Sequence, residues 1–143
     1  MDKTNLQTIL SELTNVNLVI LGISITIFTV IYSFLVNKRG DLNNIISRIN
    51  NSKSNPFDNQ QRYFALNYIK QFTSVNKKLL HLIVLSFVLF ISLFVFNRFL
   101  LDTFQKIKEL VFYLFSGLTV FVLFYFIYVF YDLIKKYKNE VSI

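Results

Sequence analysis

Apolar and polar residues are distributed along this chain in long blocks. Residues 16–36 ("VNLVILGISITIFTVIYSFLV"), 79–96 ("LLHLIVLSFVLFISLFVF") and 111–131 ("VFYLFSGLTVFVLFYFIYVFY") contain no Asp, Glu, Lys or Arg. Each block is 18 to 21 residues long, and about 20 apolar residues carry a helix across a hydrocarbon core. The pattern predicts an all-α integral membrane protein with three transmembrane helices, at residues 16–36, 79–101 and 111–131. Residues 1–15 form an external N-terminal segment whose Leu6, Ile9, Leu10 and Leu13 share a helical face, as in a short helix lying in the outer interface. The first block is expected to remain as an anchor. Asp2, Lys3 and Glu12 precede it in place of a cationic cluster, and no small-x-small cleavage site follows.

The long polar interval, residues 37–78, separates the first two spans and is expected to be a cytosolic amphipathic helical insert. Lys38 and Arg39 in a last turn, then Gly40 and Asp41, predict a helix stop and restart. Leu42, Ile45, Ile46 and Ile49 recur at i, i+3, i+4 and i+7, marking a short amphipathic helix. "NNSKSN" then supplies turn residues. Asn55 is placed to cap a helix beginning at Pro56, where the missing N–H is tolerated, with Asp58 in its first turn. No Gly or Pro follows until Ser116 has passed, so one helix is predicted from about Pro56 to about Leu101. Phe64, Tyr68, Phe72 and Val75 fall on one of its faces. An uncovered aromatic stripe of this kind is an interaction patch, so these residues are the expected partner or assembly face.

Charge sets the orientation. Lys and Arg total fifteen against eight Asp and Glu. The insert holds eight of these cations, among them Lys38, Arg39, Lys77 and Lys78, and residues 132–143 add Lys135, Lys136 and Lys138. Four remain for the other side, at Lys3, Arg98, Lys106 and Lys108. The asymmetry predicts an external N-terminus, a short external loop at 102–110 and a basic cytosolic tail. The abundance of Asn, Lys, Ile and Phe fits an AT-rich genome, and a bacterial inner membrane is the expected location.

Within the first span, Gly22, Thr26, Thr29 and Ser33 are spaced i, i+4, i+7 and i+11. Small and hydroxylated residues on one stripe suit close helix packing, or the lining of a narrow pore in a ring of copies. Tyrosines near the ends of the third span fit an aromatic belt, and Arg98 is placed to snorkel toward headgroups. The single His81 reads as an interfacial residue, and Asp132 with Lys135 and Lys136 as a surface pair.

The chemistry that is missing narrows the function. There is no cysteine, hence no thiolate nucleophile or thiolate metal site. The three glycines are isolated and form no phosphate-cradling loop. The carboxylates are scattered at helix ends, and no two make an acid–base pair. No catalytic residue, cofactor or metal site is expected. The cations of the insert are dispersed, so nucleic acid is not an expected partner. Two non-enzymatic readings remain. In one, copies assemble through the insert and the hydroxyl stripe into a membrane-perturbing or pore-forming oligomer, an effector of toxin or antiviral type. Three spans, an external N-terminus and a basic tail resemble the layout of some phage holins in topology, and that resemblance implies the same kind of oligomer. In the other, the chain is an anchored accessory or immunity protein whose insert docks a partner protein.

Overall fold

A computed structural model describes residues 3–51, 56–100 and 108–141 of the chain, all of them helical. The elements are α1 (Lys3–Asn51), α2 (Pro56–Val95) closed by a π-helical turn (Phe96–Leu100), and α3 (Lys108–Val141). Asn55, the expected cap, and residues 101–107, which include most of the second loop, lie outside the described residues. At 1.5 Å per residue, α1 is about 74 Å long and α2 about 60 Å.

Two core clusters fix the topology. Leu6, Leu10 and Ile20 of α1 share one cluster with Leu89 and Leu93 of α2, Phe96, and Val122 of α3. Ile31 and Leu35 share the other with Phe72, Val75, Leu79 and Val129. The beginning of α1 thus meets the end of α2, and α3 runs in the direction of α1. The result is an antiparallel α1–α2 hairpin with α3 laid against it.

Three helices, Asn5–Asn50, Pro56–Arg98 and Glu109–Asn139, are long and apolar enough to cross a membrane. Their large exposed hydrophobic residues fall mainly at 16–36 in α1, 80–95 in α2 and 110–137 in α3. Phe57, Tyr63, Phe64 and Leu66 form a separate exposed group near the start of α2. Of the most apolar window of α3 only 11% is buried, against 28% for α1 and 33% for α2. α3 is therefore the least enclosed of the three.

Helix α2 starts at Pro56 and continues into its apolar block without interruption, as the sequence predicts. Helix α1 differs from expectation at two places. No break separates residues 3–15 from the first span, and none occurs at Gly40–Asp41. Gly40 has no positive φ, so it is an ordinary helical residue and no left-handed cap. The physical reason is phase. Leu6, Leu10, Leu13, Asn17, Ile20, Ser24, Ile27 and Ile31 step by alternating fours and threes. Two consecutive steps of four, Ile27–Ile31–Leu35, shift the register by one position, and the seam then continues through Leu42, Ile45 and Ile49. An unbroken helix carries this seam along its length, and interrupting it would forfeit packing at both ends. The N-terminal segment accordingly buries Leu6 and Leu10 completely against the bundle, where an interfacial helix would have left them to lipid headgroups.

Helix α2 answers with its own seam. Phe72, Val75, Leu79, Leu82, Ser86, Leu89, Leu93 and Phe96 are all buried and alternate in threes and fours. This 3.5-residue period is that of coiled-coil packing. Polar side chains occupy parts of the interior: Asn17, Ser24, Asn76, Ser86 and Thr119 are buried. Asn17 Nδ2 donates to Thr119 Oγ1 at 3.1 Å and to the Leu13 carbonyl at 2.9 Å, linking α1 to α3. Ser24 Oγ donates to the Ile20 carbonyl at 2.7 Å. Among the described residues, Asn17 Oδ1, Thr73 Oγ1, Asn76 Oδ1 and Ser86 Oγ are buried without a hydrogen-bond partner.

Candidate functional site

The last turns of α1 and the first turns of α2 form a polar part of the hairpin. Arg48 joins the two helices. Its guanidinium lies 3.3 Å from Gln61 Oε1 and 3.6 Å from Asp58 Oδ1. Lys38 pairs with Asp41 at 3.2 Å on the same helix. Between the helices is an open cleft of about 540 Å³, lined by Lys38, Asp41, Asn44, Ile45, Arg48, Gln61, Phe64, Ala65 and Tyr68. It is amphiphilic: an apolar floor from Ile45 and Ala65, with one carboxylate and two cations around it.

The expected partner face divides at this cleft. Val75 is fully buried and Phe72 nearly so, both in the core cluster with Ile31 and Leu35. Tyr68 is half-buried and stacks on Phe72, with ring centroids 4.5 Å apart. Phe64 alone stays outward, 60% exposed, beside the still more exposed Tyr63. Most of the stripe is thus covered by α1 and α3 of the same chain. Ile31 and Leu35 of the first apolar block and Val129 of α3 cover Phe72 and Val75, while α1 beyond Gly40 meets this face at Ile45, beside Ala65 and Tyr68.

The hydroxyl stripe of the first span is turned the other way. Gly22, Thr26, Thr29 and Ser33 are all exposed. Thr26 Oγ1 donates to the Gly22 carbonyl at 2.9 Å, and Thr29 Oγ1 to the Ile25 carbonyl at 2.8 Å. Both hydroxyls are satisfied within their own helix, and a Cβ added at Gly22 would meet nothing within 4 Å. The stripe has no packing role inside the chain.

The six basic residues expected on the surface separate into two groups. Lys38, Arg39, Lys77 and Lys135 are exposed. Lys78 and Lys136 instead converge on Asp132. Lys78 Nζ is 2.7 Å from Asp132 Oδ2, donates to Tyr128 OH at 3.2 Å, and stands 4.8 Å from the centre of the Tyr128 ring. Lys136 Nζ is 3.3 Å from the same carboxylate oxygen and 3.4 Å from the Gln71 carbonyl. The Asp132 side chain is 18% exposed. Partial burial pushes its carboxyl up, and the hydrogen bonds from Lys78 and Lys136 outweigh this and hold it below the usual carboxylate value. Lys78 is raised, chiefly by its hydrogen bond to Asp132, with Tyr128 adding to it. The group is a clamp between α2 and α3, and Asp132 is more than the i, i+4 surface pair the sequence predicts.

Two features escaped the sequence reading. The clamp needs a lysine 54 positions from its partner, and helical spacing reveals only its Lys136 half. The interior polar residues were legible in principle: Asn17 and Ser24 sit in the same alternation of threes and fours as Leu10, Ile20 and Ile31. His81 is exposed on α2 and belongs to neither group. Among the described residues no three His, Cys, Asp or Glu are grouped to hold a metal ion. The arrangement of the clamp suits holding helices together, since its one carboxylate is saturated by two cations. No family model, curated protein or solved structure matches the chain.

Proposed function

We propose that the chain is a non-enzymatic integral membrane protein that associates with further copies of itself into an oligomer that perturbs the bilayer. It lies in a bacterial inner membrane with the N-terminus outside and the hairpin tip and C-terminus in the cytoplasm. The observation that carries the reading is the outward side of α1. A membrane-embedded helix gains nothing from burying apolar surface against another, so association relies on close packing and small residues. Gly22, Thr26, Thr29 and Ser33 offer such a surface, and α2 and α3 leave it open. The low enclosure of α3 supports the same reading, because a thin bundle gains packing when a neighbouring copy is added. Burial of Phe72 and Val75 within the chain shifts the favoured route of assembly from the insert to this side of α1.

Gly22→Leu combined with Thr29→Leu tests the proposal without disturbing the fold, because both positions face away from the bundle. In membranes treated with a short crosslinker and in mild detergent, the wild type is expected to form a discrete oligomer and the variant a monomer. A monomeric wild type, or an undiminished oligomer in the variant, contradicts it. The second reading, a docked accessory protein, rests on the exposed Phe64 at the edge of the Lys38–Arg48 cleft.

A further inference from the structure

An apolar groove of about 730 Å³ runs between α1 and α3 and includes Tyr68 and Phe72 of α2. Val30 and Phe34 belong to its α1 wall, and Phe130, Ile134 and Tyr137 to its α3 wall. Its volume is within the roughly 300–1,000 Å³ range of small-molecule sites. Its level in the fold is unusual. The α1 wall lies within the apolar block 16–36. The parts contributed by α2 and α3 reach past Lys78 and Asp132, the charged residues that end the other two blocks. Tyr137 is five residues beyond Asp132, about 8 Å along a helix. On the membrane reading the groove therefore passes from the hydrocarbon into the headgroup layer, where an apolar trough faces water unless a hydrocarbon chain enters it.

Charge at the end of the groove indicates what enters. Tyr68 lines both the groove and the hairpin cleft, so the two adjoin there. The cleft holds Lys38 and Arg48, each with its own carboxylate, Asp41 at 3.2 Å and Asp58 at 3.6 Å. Neither cation is used up by its partner, since an ammonium has three donors in all and a guanidinium five. Exposed Lys138 lies one turn beyond Ile134 on the α3 wall. With Lys138 the end of the slot carries three cations against the two carboxylates Asp41 and Asp58, a balance that favours an anionic amphiphile over a zwitterionic one.

We propose that the groove holds one acyl chain of an anionic phospholipid from the leaflet on the hairpin side, with its phosphate at the Lys38–Arg48 cleft. The inference rests on the membrane reading above. The groove borders the association stripe at Thr26, but Gly22 and Thr29, the two positions that test association, do not line it.

The test begins with alkaline carbonate extraction of membranes from expressing cells, followed by purification in detergent. The protein is then titrated with phosphatidylglycerol and with phosphatidylcholine of the same chains, and retained lipid is counted by native mass spectrometry. The wild type is expected to retain one phosphatidylglycerol in preference. Lys38→Gln with Arg48→Gln should lower that retention about thirtyfold, the order expected when two cations beside an anionic headgroup are removed, and should leave phosphatidylcholine unchanged. Ile134→Trp, which fills the groove at a position already half exposed, should lower retention of both lipids, and Leu118→Trp outside it should lower neither. Equal retention of the two lipids by the wild type, or full retention by Ile134→Trp, overturns the groove assignment while membrane integration stands. Release of the protein into the carbonate supernatant overturns the membrane reading and the groove with it.

Discussion

Asp132 receives two lysines on one carboxylate oxygen, and one of them comes from a different helix. A partly buried, charge-assisted contact of this kind lies between the small contribution of exposed pairs and the large penalty of an uncompensated buried charge. Replacing Asp132 by Asn is expected to destabilise the α2–α3 contact by about 1–2 kcal/mol. Lys78→Gln should have a smaller effect, because Lys136 remains. The pH dependence follows from the two displacements. A depressed carboxyl contributes stability above its unfolded value that is lost as pH falls through the folded one. A raised ammonium contributes stability below its unfolded value that is lost as pH rises through the folded one. Thermal unfolding in detergent should therefore show a plateau between about pH 4 and pH 10 with losses on both sides. Asp132→Asn should remove this clamp's share of the acid limb. An unchanged acid limb in that variant would assign the loss to other groups.

At the scale of elements, α1 is the helix whose extent the sequence least disclosed. Gly40 next to Lys38, Arg39 and Asp41 carries the local chemistry of a helix end, yet the helix runs through it. The two conformations respond oppositely to one substitution. In a helix interior with open space around the Cβ, Gly40→Ala should stabilise by about 0.5–1 kcal/mol, whereas in a left-handed cap it should destabilise. Higher helicity and a raised melting temperature are expected, and a lowered one would restore the break. The same contrast explains what the sequence made legible. The three apolar blocks, the start of α2 at Pro56 and its continuity into the second block depend on length and local chemistry, and all three can be read locally. The continuity of α1 depends on Ile45 and Ile49 being in phase with Ile31 and Leu35, across a stretch whose local residues signal a stop. Packing against α2 prevails over that signal. The site followed the same division. Phe64, Tyr68, Phe72 and Val75 do share a face, but which of them remains open depends on how α1 and α3 pack over it, and Lys78 meeting Asp132 depends on the docking of α3.

For the whole molecule, the bundle has two kinds of outer surface: a wide apolar zone on all three helices and a polar hairpin tip bearing Phe64 and a cleft lined by ion pairs. The first suits a bilayer, and the second suits the aqueous side next to it. Asn17 and Thr119 link α1 to α3 through one interior hydrogen bond, and in a bilayer, where burial of apolar surface drives nothing, such a bond is worth about 1 kcal/mol. A three-helix bundle with so little polar pairing inside, and with α3 largely unenclosed, is suited to gaining neighbours. The central claim, that copies associate through the Gly22–Ser33 side of α1 and perturb the bilayer, is tested most directly by membrane potential. A potential-sensitive dye would follow cells as the wild type and the Gly22→Leu, Thr29→Leu variant are induced to equal levels. The account predicts rapid depolarisation by the wild type and full polarisation with the variant. Depolarisation by both would contradict the role of that surface. A wild type that forms its oligomer and leaves the potential intact would contradict the perturbing function and favour a docked accessory protein.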